Sequence, residues 1–233
     1  MGKVMFMRKG EVHSYTAPVK GLALSSLAEG SIVYLNENGS PVEFYVAKHD
    51  YESALNGAGR TLLVRKDLYG LMAWNTAGGN AYASCSMDEW FNGDYKALLD
   101  AAVQSAISET MFYYTPSSTD TTVTTLSRSV FALSLAEYGF TTDEGTRNTE
   151  GSALSMGSSL CNAYLDGTQT PHWSRTPGFG GTSFVGKVWR VASSTGAAIW
   201  NPSAATTNAA RPCFTLPNTA VFDETTFLFK GVA

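Results

Sequence analysis

Residues 172–201 read HWSRTPGFGGTSFVGKVWRVASSTGAAIWN, and the organisation of the chain turns on them. Residues 185–192 read as a strand, Ser193-Ser194-Thr195-Gly196 as a turn, and residues 197–200 as the returning strand. If Val188 and Val191 mark the inner side, with a bulge between them, Lys187 and Trp189 project towards solvent. The stretch belongs to a 56-residue run, residues 167–222, that contains no Asp or Glu; its basic side chains are Arg175, Lys187, Arg190 and Arg211. That run carries +4, so the remaining 177 residues carry −8. It also holds Trp173, Trp189 and Trp200, three of the five tryptophans. Phe179, Phe184, Trp189 and Trp200 stand among glycine and alanine, and rigid aromatics set in Ser, Gly and Asn are the composition of recognition loops.

The whole chain fits that pattern. It has 233 residues, a formal charge of −4 and only 15% charged residues, against about 25% in a typical soluble domain. Its 49 Ser and Thr outnumber its 36 charged side chains, so hydroxyls, amides and backbone must wet much of the surface. A hydrophobic content of 44% with 12% aromatics supplies a real core and excludes disorder. No apolar run is long enough for a transmembrane helix, and Arg8 and Lys9 fall where a signal peptide needs an apolar stretch. The charge balance gives no case for nucleic acid, and Cys85, Cys161 and Cys213 are too scattered for a disulfide framework or a zinc site.

Working outward, residues 4–7 and 11–15 pair as a short arm, followed by a helical turn near residues 22–29. Ile32, Val33 and Leu35, then Asn36-Glu37-Asn38-Gly39, then alternating Val42, Phe44 and Val46 predict a hairpin, because Asn-Gly between apolar runs suits the left-handed turn that closes one. Residues 61–64 add a strand. Ser86-Met87-Asp88-Glu89 predicts a capping box ahead of Trp90 and Phe91. Tyr95, Leu98, Leu99, Ala102, Val103 and Ile107 predict one amphipathic helix. Residues 111–114 and the piece 123–133 read as β, and Ser134-Leu135-Ala136-Glu137 as a second box. The expected fold class is α+β, a short arm over residues 1–29 and one domain over residues 30–233.

Catalytic constellations are weak. Ala153-Leu154-Ser155-Met156-Gly157 lacks the first glycine of a nucleophile elbow, and His172 is the only histidine after it. Asp143, Glu144 and Glu150 cluster in what reads as an exposed loop, where solvated acids are expected. Asn56-Gly57-Ala58-Gly59 and Gly178-Phe179-Gly180-Gly181 lack the lysine of a phosphate loop and read as turns. His13, His49 and His172 offer no metal spacing. No catalytic residue, metal or cofactor is expected.

Several motifs in order carry a resemblance. Ser86-Met87-Asp88-Glu89-Trp90-Phe91-Asn92-Gly93, Val130-Phe131-Ala132-Leu133-Ser134 with Glu137, Trp173-Ser174-Arg175-Thr176-Pro177, Val191-Ala192-Ser193-Ser194-Thr195-Gly196 and Arg211-Pro212-Cys213-Phe214 together resemble a family of domains from gut bacteria and their phages. The resemblance covers residues 30 to 222. It implies a C-type-lectin-like fold, shared with formylglycine-generating enzymes and with the variable proteins of diversity-generating retroelements. By the same resemblance Trp173, Arg175, Pro177, Arg211 and Pro212 are framework residues. His172, Phe179, Phe184, Lys187, Trp189, Trp200 and Asn201 fall between them, where ligand-binding variation would be displayed. The cysteines do not match the active-site pair of the formylglycine-generating enzymes. Trp200-Asn201-Pro202 has no carboxylate for a calcium-dependent sugar site.

The implied function is host attachment. A phage tail-associated receptor-binding protein would bind a bacterial cell-surface protein or glycan, pair with other virion tail proteins, act as a homo-oligomer, and need neither nucleic acid nor membrane insertion. It would be made in the bacterial cytoplasm without a signal peptide and end in the virion. The alternatives are a polysaccharide-degrading virion enzyme and a purely structural virion protein.

Overall fold

The computed structural model describes residues 3–8, 11–16, 19–140, 150–178, 181–192, 198–201 and 203–233, with side chains omitted for 3–8, 11–16, 181 and 198–201. Among them the chain is β-rich α+β, with many short strands and few, short helices.

The hairpin forms where the Asn-Gly pair predicts it. Ile32–Glu37 and Ser40–Lys48 pair antiparallel, Glu37 opposite Ser40, and both turn residues are left-handed (Asn38 φ 52°, Gly39 φ 73°). Arg60–Arg65 and Cys213–Pro217 extend it to a four-stranded sheet. Val33, Leu35 and Glu37 point inward. Glu37 is tolerated there because Arg65 pairs with it at 3.0 Å and the Tyr95 hydroxyl donates to it at 2.9 Å.

The predicted continuous helix is broken in two. Ser86–Trp90 passes through a π-helical turn, Phe91–Tyr95, into Lys96–Leu98, and Ala101–Ala106 is separate. The hairpin tip causes the break: Asn38 N–H takes the Leu98 carbonyl at 2.7 Å, and Asp100 N–H donates to the Asn36 carbonyl at 3.1 Å. Leu99 turns extended and is still buried with Tyr95 and Val103. The first capping box is also corrected. Cys85 is the cap, its sulfur accepting from Asp88 N–H at 3.4 Å, while Ser86 Oγ meets Thr76 Oγ1 at 2.8 Å. The second box closes reciprocally, Ser134 N–H to Glu137 Oε2 at 2.8 Å and Glu137 N–H to Ser134 Oγ at 3.2 Å.

The body of the domain starts before residue 30. Leu22–Ala23 pairs with Ala220–Phe222, which also pairs with Phe229–Val232, and Leu24 is in the core. Gly21 permits this junction, since a Cβ there would lie 2.1 Å from the Phe222 carbonyl oxygen. Lys3–Arg8 and Glu11–Thr16 form a separate two-stranded sheet.

The acid-free stretch builds most of a five-stranded sheet. Its order is Ala198–Asn201, Val188–Val191, His172–Pro177, Thr207–Ala209, Leu71–Ala73. Every neighbouring pair is antiparallel except His172–Pro177 with Thr207–Ala209. Val188 and Val191 are fully buried, and Trp189 and Arg190 between them are half-buried. No helix among the described residues is long and apolar enough to cross a membrane.

Candidate functional site

The frame behind this sheet is a buried ionic network centred on Arg175. Its guanidinium donates to Glu137 Oε2 at 2.6 Å, to the carbonyls of Ala132 (2.9 Å), Tyr113 (3.1 Å) and Glu150 (3.1 Å), and lies 4.6 Å from the Phe112 ring centroid. Burial opposes the Arg175 charge, but Glu137 beside it more than offsets this and holds the group above its ordinary pKa. The Tyr51 hydroxyl donates to the other Glu137 oxygen. Glu150 is corrected from a solvated loop acid to a core group. It is fully buried, accepting Thr115 N–H at 2.6 Å and the Thr176 hydroxyl at 2.5 Å, and burial raises its carboxyl above the usual range. Asp143 and Glu144 lie outside the described residues.

A second anchor is Arg211, also buried, whose fork reaches the carbonyls of Arg65 (2.8 Å), Lys66 (2.8 Å) and Leu160. It ties the four-stranded sheet to the Gly157–Leu160 helical turn. Trp173 is buried and donates its indole N–H to the Met72 carbonyl at 2.9 Å, and Trp74 does the same to Ser174 at 2.9 Å. Pro177 and Pro212 are buried as well.

His172, expected on display, is instead in the core, because its strand is the middle one of five. Its Nε2 sits 3.0 Å from the Tyr138 hydroxyl. Burial, then the nearby Arg211 charge, push its pKa down from 6.5 to about 3. The folded ring is neutral where the unfolded one takes a proton, so stability is full above about pH 6.5 and is lost as pH falls towards 3. Urea midpoints at pH 7.5 and 4.5 should show this acid loss in the wild type and a smaller one in His172→Gln.

What the sheet presents outward is the strand Val188–Val191 and the segment before it. Thr182 and Ser183 are exposed, Val185 is 58% exposed, and Phe184 and Lys187 are half-buried, with Lys187 Nζ 4.3 Å from the Phe184 ring centroid. Asn80, itself buried, clamps this segment by donating to the Phe184 and Lys187 carbonyls, both at 3.0 Å, while its oxygen accepts Ser118 N–H at 3.3 Å. Gly186 fits because its φ is 80° and the Gly78 carbonyl oxygen would lie 2.5 Å from any Cβ. Asn80→Ala should release the segment at a cost of about 1–3 kcal/mol. Hydrogen exchange at Lys187 N–H, which donates to Phe184 at 2.9 Å, would rise first.

Trp189 stands opposite Trp200 in register, and its carbonyl accepts the Ser174 hydroxyl at 2.8 Å. Its indole N–H is sealed from solvent without an acceptor. Asn201 stands opposite Val188. The side chains of Trp200 and Asn201, and Phe179 entirely, lie outside the described residues. Arg190 bridges two strands, its Nη1 donating to Asn208 Oδ1 at 2.7 Å. Arg190, Asn208 and Asn80 were not expected at this face. Arg190 had a signal, being a basic residue far from any acid in sequence, and the two asparagines had none. No group of three or more potential metal ligands occurs among the described residues.

No curated protein and no solved structure matches the chain. Residues 58–218 match the family described as Domain of unknown function (DUF6273), a span that runs from the inner strand Arg60–Arg65 to the end of Cys213–Pro217 and contains the whole five-stranded sheet. With well over half of its length inside that match, the chain belongs to the DUF6273 family.

Proposed function

We propose that this domain binds rather than catalyses: it is a phage tail-associated host-attachment protein whose C-type-lectin-like scaffold displays a ligand-binding face. The observation that carries the reading is the acid-free stretch. It folds so that its framework residues Trp173, Arg175, Pro177, Arg211 and Pro212 are buried, while Phe184, Val185, Lys187, Trp189 and Arg190 lie at or near the surface on the outer strands and the preceding segment. A rigid frame carrying a small set of outward residues is what recognition needs, because the frame limits the entropy lost on binding. The ordered motifs and the loop-rich C-terminal half support the lectin-like scaffold and, with it, exchange of the outward residues in the manner of retroelement variable proteins. The acid Glu150, which a polysaccharide-cleaving site would have used, is held in the core by Thr115 and Thr176.

Each copy contributes modest affinity from burying rings of low conformational entropy, and several copies on a tail multiply it. The partners are a bacterial cell-surface protein or glycan and neighbouring tail proteins. Labelled domain should attach to cells of gut bacteria, and Trp189→Ala should remove that attachment. Undiminished attachment by a folded Trp189→Ala protein would count for the structural virion role instead.

A further inference from the structure

We propose that Arg190 and Asn208 form a subsite for a carboxylate, and that the ligand is an acidic polysaccharide; this rests on the ligand-binding reading above. Arg190 lies on Val188–Val191 and Asn208 on Thr207–Ala209, with His172–Pro177 between them. Trp173, directly opposite Arg190, is buried in that middle strand, and the guanidinium spans it to reach Asn208. The bridge uses the single side-chain acceptor of Asn208, so its amide N–H₂ group is turned elsewhere. That nitrogen, Asn208 Nδ2, has no partner, although the residue is only 4% exposed. Arg190 Nε is likewise buried and without an acceptor.

Two donors, on side chains that the Nη1–Oδ1 bond joins, are thus withdrawn from water with nothing to receive them, a state that costs each of them a hydrogen bond. No carboxylate among the described residues pairs with Arg190, and none occurs anywhere in residues 167–222. The group that completes such a site must accept from two donors and neutralise a cation. A carboxylate does both, and the planar guanidinium fork favours it over a single hydroxyl. Arg190 is partly exposed as a residue while both donors are closed to water, so the carboxylate reaches them as the Arg190 side chain swings out of its place. The exposed hydroxyls of Thr182 and Ser183, with Phe184 and Val185, lie on the segment that leads into the strand of Arg190 and suit the alternating hydroxyl and C–H faces of sugar rings. A uronic-acid polymer combines all three features.

Binding to immobilised polygalacturonate, dextran and polyglutamate tests this. The wild type should prefer polygalacturonate to dextran by about thirtyfold or more, the loss associated with leaving a buried charged donor unpaired. Asn208→Asp is the decisive variant, since it places an internal carboxylate against Arg190 at almost unchanged volume. It should keep or raise the melting temperature and lose polygalacturonate binding. Arg190→Gln should lose it as well. Equal binding to dextran, equal binding to polyglutamate, or full polygalacturonate binding by Asn208→Asp would each overturn the proposal. Cell attachment that persists in Asn208→Asp overturns only this subsite, whereas a wild type that binds no cell and none of the polymers overturns the attachment reading itself.

Discussion

Arg175→Met is expected to destabilise the domain by about 3–5 kcal/mol, the range for removing one partner of a buried ion pair. Total stabilities of domains are only about 5–15 kcal/mol, so the variant should be partly or wholly unfolded at 37 °C. The cost does not come from losing attraction alone. Glu137 would remain in the core with, among the described residues, only the Tyr51 hydroxyl and the Ser134 N–H donating to it; the carbonyls of Ala132 and Tyr113 would each lose a donor, and that of Glu150 would keep the Ser134 hydroxyl alone. Adding Glu137→Gln to the same chain removes the unpaired charge while keeping an acceptor for Ser134. The double variant should therefore recover part of the loss, which urea unfolding of the two single variants and the pair would measure as a coupling energy. Strict additivity would mean that the two side chains are not acting as one unit.

The second large effect separates two tryptophans of the same strand pair. Trp173→Ala should cost about 3–5 kcal/mol, because it empties a fully buried site in the central strand and leaves the Met72 carbonyl without its donor. Trp189→Ala, on the strand next to the sheet edge and half-buried, should cost far less stability and instead remove binding. Its indole N–H has no acceptor to leave behind. Thermal melts of both variants, set beside cell attachment, would show the two readouts moving in opposite directions. Equal destabilisation by both would assign Trp189 to the core and remove the principal support for the binding face.

Local chemistry in the sequence was enough to specify some of this fold. The Asn38-Gly39 turn, the strands around it and the reciprocal Ser134–Glu137 box follow from short-range rules, and the structure has them. The amphipathic helix did not survive, because the hairpin tip, sixty residues earlier in the chain, captures the Leu98 carbonyl and opens the backbone at Leu99. Periodicity predicted the burial of Tyr95, Leu99, Val103 and Ile107, but Ala102 is exposed, and the pattern could not anticipate a competing hydrogen bond from elsewhere. His172 and Glu150 were misplaced for a related reason. Glu150, an acid among Gly, Ser and Thr, reads as surface, and the resemblance puts His172 on display between framework positions; only the strand order and the arrival of Tyr138, Thr115 and Thr176 provide the partners that allow burial.

The sequence by itself determined that this is a charge-poor, mixed α+β chain with one acid-free, aromatic stretch, since composition and turn chemistry are local properties. Tertiary structure alone decided how that stretch divides. Trp173, Arg175 and Arg211 face inward, because their donors find carbonyls from strands and turns distant in the chain. Arg190 and Asn208 come together only because a parallel strand pairing brings Thr207–Ala209 beside His172–Pro177. Burial depends on which distant segments return to cover a residue, and no local pattern encodes that.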